Sequence, residues 1–291
     1  MPFSSLNHNL VEVWQYYQHP LVRQLAFAVG SPNLLSQIPA ELEVVHAFEL
    51  HDSETWQHHL QNYHPRLKYL DQHPEELEQF VQQLKSTRLG LRFEMLVWFW
   101  LLDDAYHPYK LLGHSIQKID GAKTLGELDF LLLNTKTGQT EHWEVALKYY
   151  LAEADFSLPN WYGLNRTDTL IRKMKHFTQK QFQFDEALDQ QIEQRFCMLK
   201  GQLYLPVHRA DQTLPGWVNT QRRIGLWGQQ IPDPAANFYR LQRHEWIYPN
   251  AQISSSSPYW WTNGLYKKAD QEDFYMYRSP LLLPFPVHKP F

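Results

Sequence analysis

Three residues in one short stretch have the types and spacing for chemistry on a charged substrate. They are Asp129, Glu144 and Lys148, within GELDFLLLNTKTGQTEHWEVALKYY at 126–150. Two apolar runs, each carrying an acid, flank the polar turn TKTGQT at 135–140. Runs this apolar read as buried strands, and a buried carboxylate is costly unless it meets a cation or a full set of hydrogen bonds. A hairpin about the turn brings Asp129 and Glu144 side by side, where each raises the other's pKa unless a cation sits between them. Hard oxygen donors suit Mg²⁺ or Mn²⁺, and Mg²⁺ typically keeps several waters beside one or two carboxylates. The same residues also admit a purely structural reading, with two acids flanking a turn and Glu144 ion-paired to Lys148 on an edge strand.

The elements that must position these groups follow from periodicity. Segments 109–118, 125–134 and 141–151 read as consecutive strands, with Gly138 suited to positive φ in the hairpin connection. Alternation puts Trp143, Val145, Leu147 and Tyr149 on one face of the third strand and Glu144, Ala146, Lys148 and Tyr150 on the other. Before them the chain reads as helical. Leu10, Val13, Trp14 and Tyr17 recur at helical spacing, Ser53 caps a helix to 63, and Pro74 opens one over 74–85. A further helix over 86–104 is apolar almost all round, which places it inside the protein. After the strands come a loop at 159–166, a helix over 168–184 capped by Thr167, more helix at 186–195 and a strand at 196–207. Beyond 208 the pattern is short and aromatic, with strands at 222–229 and 239–248, a loop at 254–257 and a Pro-rich end.

This order of elements resembles the PD-(D/E)XK nucleases, the superfamily of Holliday-junction resolvases and restriction endonucleases. Glu94 in GLRFE, Asp129 in GELD, and Glu144 and Lys148 in EVALK match the helix glutamate, the second-strand acid and the third-strand acid and lysine. The full-length pattern also looks similar to an uncharacterised bacterial family placed in that superfamily. The resemblance implies an α/β protein with a restriction-endonuclease-like core, a mixed central sheet flanked by helices. It assigns 1–85 to an N-terminal helical region, 86–207 to the core and 208–291 to a β-rich C-terminal extension packed on it. One departure is clear: the superfamily pattern is acid–x–lysine, and Ala146 stands at the lysine position. Lys148 lies two residues further on, its Cα about 13 Å from that of Glu144 rather than about 7 Å.

The function implied is Mg²⁺- or Mn²⁺-dependent phosphodiester hydrolysis in DNA or RNA, leaving a 5′-phosphate and a 3′-hydroxyl. Glu94, Asp129, Glu144 and the Val145 carbonyl would hold metal, and Lys148 would orient water or stabilise the transition state. Arg172, Lys173, Lys175, His176 and Lys180 make the helix after the third strand basic, with Arg166 just before it, and Gln181 sits where some RecB-like members carry a glutamine. Arg166, Arg172, Lys173, Lys175, Lys180 and Gln181 are expected at the nucleic acid, with Arg88 and Arg92 as weaker candidates. The rival expectation is a catalytically inactive nuclease-fold protein serving as a binding or assembly module. Many superfamily members dimerise to cut two strands, so a homodimer is one arrangement implied.

Composition sets outer limits. The chain has 291 residues, a formal net charge of −4 and 43% hydrophobic residues, which argues for a folded protein and against a strongly basic, non-specific DNA binder. A single cysteine, Cys197, fits a reducing cytosol, and no signal peptide or membrane span is legible, so a cytoplasmic protein is expected. The 15 histidines follow no zinc-ligand spacing, and no Gly-rich phosphate loop occurs. Trp260 and Trp261 beside Tyr259 read as packing aromatics before they read as a base-stacking platform.

Overall fold

Hydrophobic periodicity shifts from helical to alternating near residue 105, and the computed structural model follows that change. It describes residues 7, 10–233, 237–248, 260–268 and 274–280. Tyr259, the 254–257 loop and the end of the chain beyond 280 lie outside the described residues.

Helix α1 (Pro20–Gly30) opens on a proline, whose fixed φ and missing N–H suit a first turn. Helix α2 (Ser53–Gln72) is capped by Asp52, which accepts from the Thr55 amide at 2.7 Å. The cap is therefore one residue before the expected serine, and the helix runs well past residue 63, through Pro65. Helices α3 (Glu75–Gln82) and α4 (Leu89–Leu102) follow, and Phe93, Leu96, Val97 and Trp100 of α4 are fully buried. The helical spacing at 10–17 yields only one 3₁₀ turn, Val13–Tyr16.

The three expected strands are present as β1 (Tyr109–Asp120), β2 (Lys123–Asn134) and β3 (Thr140–Ala152). Gly138 in the β2–β3 turn has φ +75°. A two-residue strand, β4 (Trp161–Tyr162), precedes helix α5 (Leu170–Gln179). Thr169 caps α5 by accepting from the Arg172 amide, and the helix stops at Gln179, so both expected ends move inward. Residues 186–195 are not helical. They form a hairpin, β5 (Glu186–Ala187) and β6 (Gln190–Gln191), because Leu188 and Asp189 at its tip take positive φ. Then come β7 (Gln194–Pro206), β8 (Ile224–Gly228), β9 (Phe238–Arg240), β10 (Gly264–Lys268) and β11 (Phe274–Tyr277). The strand expected over 239–248 ends at Arg240, and Arg243–Trp246 is a 3₁₀ turn closed by a Gln242–Glu245 capping box.

Nine of these strands form one mixed sheet in the order β1-β2-β3-β7-β8-β11-β10-β9, with β4 attached to β3. Strands β1, β2 and β3 are antiparallel neighbours, whereas β3, β7, β8 and β11 run parallel. One face packs on α1, α2 and α4 through Phe130, Trp143, Val145 and Leu147. The other packs on α5 through Ala146, Tyr150, Cys197 and Leu199. Residues beyond 208 continue this sheet edge to edge, and their Trp227, Leu241 and Trp246 share a core with Trp14, Leu25 and Phe93. Among the described residues no helix is long and apolar enough to cross a membrane.

Candidate active site

β3 is thirteen residues long, yet β2 pairs with it only from Thr140 to Trp143. At the far end β4 takes over the same edge, with Leu151 opposite Tyr162. Between these two partners, the edge of β3 lies open. At the start of the gap the Asp129 side chain stands in for a strand carbonyl, its Oδ2 accepting the Val145 amide at 2.9 Å. An extended residue sends its N–H and C=O to the same edge, so the Val145 carbonyl faces this gap too.

Continuing the register Phe130↔Trp143 by one step sets Asp129 across from Glu144, with both side chains on the α5 face. The Asp129 amide lies 3.4 Å from Glu144 Oε1. Glu144 is fully buried, and its oxygens are gripped from two sides. Oε1 is 2.7 Å from His142 Nε2, two residues back on the same face, and Oε2 accepts from the Gln181 side-chain amide. Burial is the largest cause raising Asp129 well above the usual carboxylate range, followed by the nearby charges of Glu144 and Glu94. It likewise lifts Glu144 to about 8, against the opposing pull of Lys173. His142 is pushed down to about 3 by its own burial, so the imidazole is neutral.

Glu94 reaches the site from α4. Its Oε1 lies 2.8 Å from His114 Nε2, and the His114 ring is stacked between Trp98 and Phe130. Among the described residues no three His, Cys, Asp or Glu side chains are grouped as a ready-made ion site. Asp129 and Glu144 form the close pair, and Glu94 acts on both through its charge.

The two lysines exchange the places their spacing suggests. Lys148 turns away from the acids and pairs with Asp168 at 2.8 Å. Lys173, expected to meet phosphate from the surface of α5, is half-buried and donates to Gln181 Oε1 at 2.8 Å. Through Gln181 it is linked to Glu144, and burial lowers its pKa while Glu144, Cys197 and Asp129 pull it back up. Ala146 leaves the position between Glu144 and Lys148 small, and both Ala146 and Lys173 line the cavity.

That cavity, about 680 Å³, is walled by Glu94, Asp129, Val145, Lys148, Lys173 and Gln181. Arg88 at the start of α4 and Arg243 and Trp246 from the C-terminal third also border it. A second depression of about 820 Å³ runs along α5 past Arg172, Lys175 and Lys180, and shares Asp168 and Lys173 with the first. Two expected cations lie elsewhere. Arg92 binds Gln24 Oε1 at 2.8 Å, and Arg166 pairs with Glu153 at 2.5 Å. His142, His114 and Arg243 have site positions that sequence reasoning missed. Only His142 carried a signal, since His-x-Glu on a strand places both side chains on one face.

The donor set fits a hard divalent cation: two crowded carboxylates with raised pKa values and a carbonyl on an open strand edge are what such an ion relieves. In comparisons with known proteins, no curated protein and no solved structure matches. A family model described as a domain of unknown function (DUF1853) matches residues 23–287.

Proposed function

Because the chain belongs to the DUF1853 family, whose description assigns no activity, we propose from the site itself that this protein is a metal-dependent nuclease hydrolysing phosphodiester bonds. One observation carries the reading: buried Glu144 is paired with Asp129 at the point where β2 leaves β3, and Asp129, Glu94 and Lys173 line a cavity that adjoins a basic groove. The order α4-β1-β2-β3-α5-β7, with β7 parallel to β3, also supports a restriction-endonuclease-like core.

Asp129, Glu144 and the Val145 carbonyl would hold one Mg²⁺ or Mn²⁺, with Glu94 contributing through water. When bound, such an ion supplies a water of lowered pKa and neutralises charge on the phosphate oxygens. The chain's own groups do the rest. His142 and Gln181 fix both oxygens of Glu144, so the carboxylate needs no reorientation as charge develops. Lys173, held by Gln181, supplies the positive charge that acid–x–lysine places on the strand, and it offsets charge on the attacked phosphate. Arg172, Lys175 and Lys180 would carry the flanking backbone along α5 as sequence-independent contacts.

The test is cleavage of plasmid, single-stranded DNA and RNA with Mg²⁺ or Mn²⁺ by the protein and its Asp129→Asn variant. Cleavage that needs the ion and vanishes in the variant supports the reading. No cleavage of any of the three, with a melting temperature indifferent to Mn²⁺, removes it. The ion pair between Lys148 and Asp168 favours a second reading, a nuclease fold kept as a binding or assembly module. That version expects nucleic acid or a second copy to bind without being cut.

A further inference from the structure

A third cavity, about 680 Å³, is bordered by Arg166 from the loop that precedes α5. It collects the carboxyl ends of the parallel strands: Glu153 after β3, Pro206 closing β7, Gly228 closing β8 and Arg278 after β11. In open α/β sheets the crevice beyond the carboxyl ends of parallel strands is a preferred ligand site. The frame is tied, since the Trp227 indole donates to the Ala152 carbonyl at 2.8 Å and Tyr275 Oη to that of Gln230 at 2.6 Å.

Three arginines line it, Arg166, Arg209 and Arg278, against one acid, Glu153. Glu153 Oε1 is shared by Arg166 Nη1 at 2.5 Å and Arg278 Nη2 at 2.6 Å, so the cavity keeps an excess of two positive charges in a chain of net charge −4. Among the described residues Arg209 bonds only the neutral Gln212, and it lies over the Phe156 ring. Arg278 is 8% exposed, its guanidinium sits 4.4 Å over Trp227, and its Nη1 is buried with no hydrogen-bond partner among the described residues. A buried guanidinium nitrogen left unpaired is expensive, and an anion would satisfy it.

We propose that this cavity binds an organic phosphate monoester, with Arg278 and Arg209 on the phosphate and the apolar wall of Pro206, Val207 and Pro232 on its body. A phosphate monoester carries close to two negative charges near neutral pH, which matches the surplus, whereas a carboxylate carries one. The volume falls within the roughly 300–1,000 Å³ of small-molecule sites. Nothing here depends on the nuclease reading, and the Asp129→Asn variant serves as the control that keeps the site.

The experiment is a melting-temperature titration of the full chain with adenosine 5′-monophosphate, adenosine, inorganic phosphate and succinate. The monophosphate is expected to raise the melting temperature saturably, inorganic phosphate to do so more weakly, and adenosine and succinate not at all. Arg209→Ala, which breaks no ion pair, should weaken the apparent affinity about tenfold or more. Arg278→Gln should abolish the shift, with circular dichroism reporting whether its fold survives loss of the Glu153 pair. No shift from either phosphate at millimolar concentration overturns the proposal. So does a shift unchanged in Arg209→Ala, or one that succinate reproduces.

Discussion

Glu144 is a buried carboxylate whose proton a metal ion would displace under the proposed function, and that proton makes stability depend on pH. Its pKa rises from the usual 4.5 to about 8 in the folded protein, and that of Asp129 rises with it. The folded state therefore keeps protons that the unfolded chain has released. Stability from this source is complete below about 4.5 and is lost as pH rises through 8. His51, His59 and His142, held neutral with values pushed down to about 4, 3 and 3, act oppositely and cost stability below about 6.5. Lys173 and Lys200, whose pKa values burial lowers, gain stability as pH rises, so Glu144 is read as a difference between proteins. Without added metal, the melting temperature of Glu144→Gln minus that of the unaltered protein should grow between about pH 6.5 and 8, and a difference that stays constant would contradict the assignment. The lysines give a second residue-scale prediction. Under the proposed nuclease function, Lys173→Met should lower turnover by about 10²–10³-fold, and Lys148→Met by far less, in single-turnover cleavage with Mn²⁺. Sequence held the residue types at this site but not their partners. The relevant ends of Lys148 and Lys173 are set by Asp168 and Gln181, on segments that strand alternation does not reach.

At the scale of elements, the open stretch of β3 between β2 and β4 makes the site, and one glycine keeps its other edge closed. Gly201 of β7 faces Lys148 in the parallel ladder with φ +128°, and a Cβ there would stand 1.8 Å from the Lys148 carbonyl oxygen. Gly201→Ala should destabilise the protein by about 3 kcal/mol or more in urea denaturation, because both the backbone angle and the close approach must give. The strands around the site were legible because β1, β2, β3 and β7 are long and the last three are rich in apolar residues, and their expected limits agree with the structure within about two residues. Short elements were not. The 186–195 segment has helical composition, yet its outcome is decided by two residues in the left-handed region and by packing of Ala187 and Ile192 against Leu128 and Leu131. The gap in β3 was equally hidden, since it depends on where β2 departs and not on any motif.

Across the whole molecule, charge is segregated although the total is −4. Arg172 and Lys175 of α5 and Lys180 just past its end stand exposed along one depression. Under the proposed function, replacing all three with alanine should weaken nucleic-acid binding without changing sequence preference. It should also make log K fall less steeply with log salt, by about one unit of slope for each phosphate no longer neutralised, measured by fluorescence anisotropy. An unchanged slope would move the nucleic-acid path off α5.

Strand order also dictates when this protein can finish folding. β11 follows β9 and β10 in sequence yet is inserted between β8 and β10, so β8 keeps one bare hydrogen-bonding edge until residues 274–277 have been synthesised. A nascent chain carries that sticky margin from the synthesis of β8 until β11 emerges, and a premature stop between the two leaves it permanently exposed to self-association.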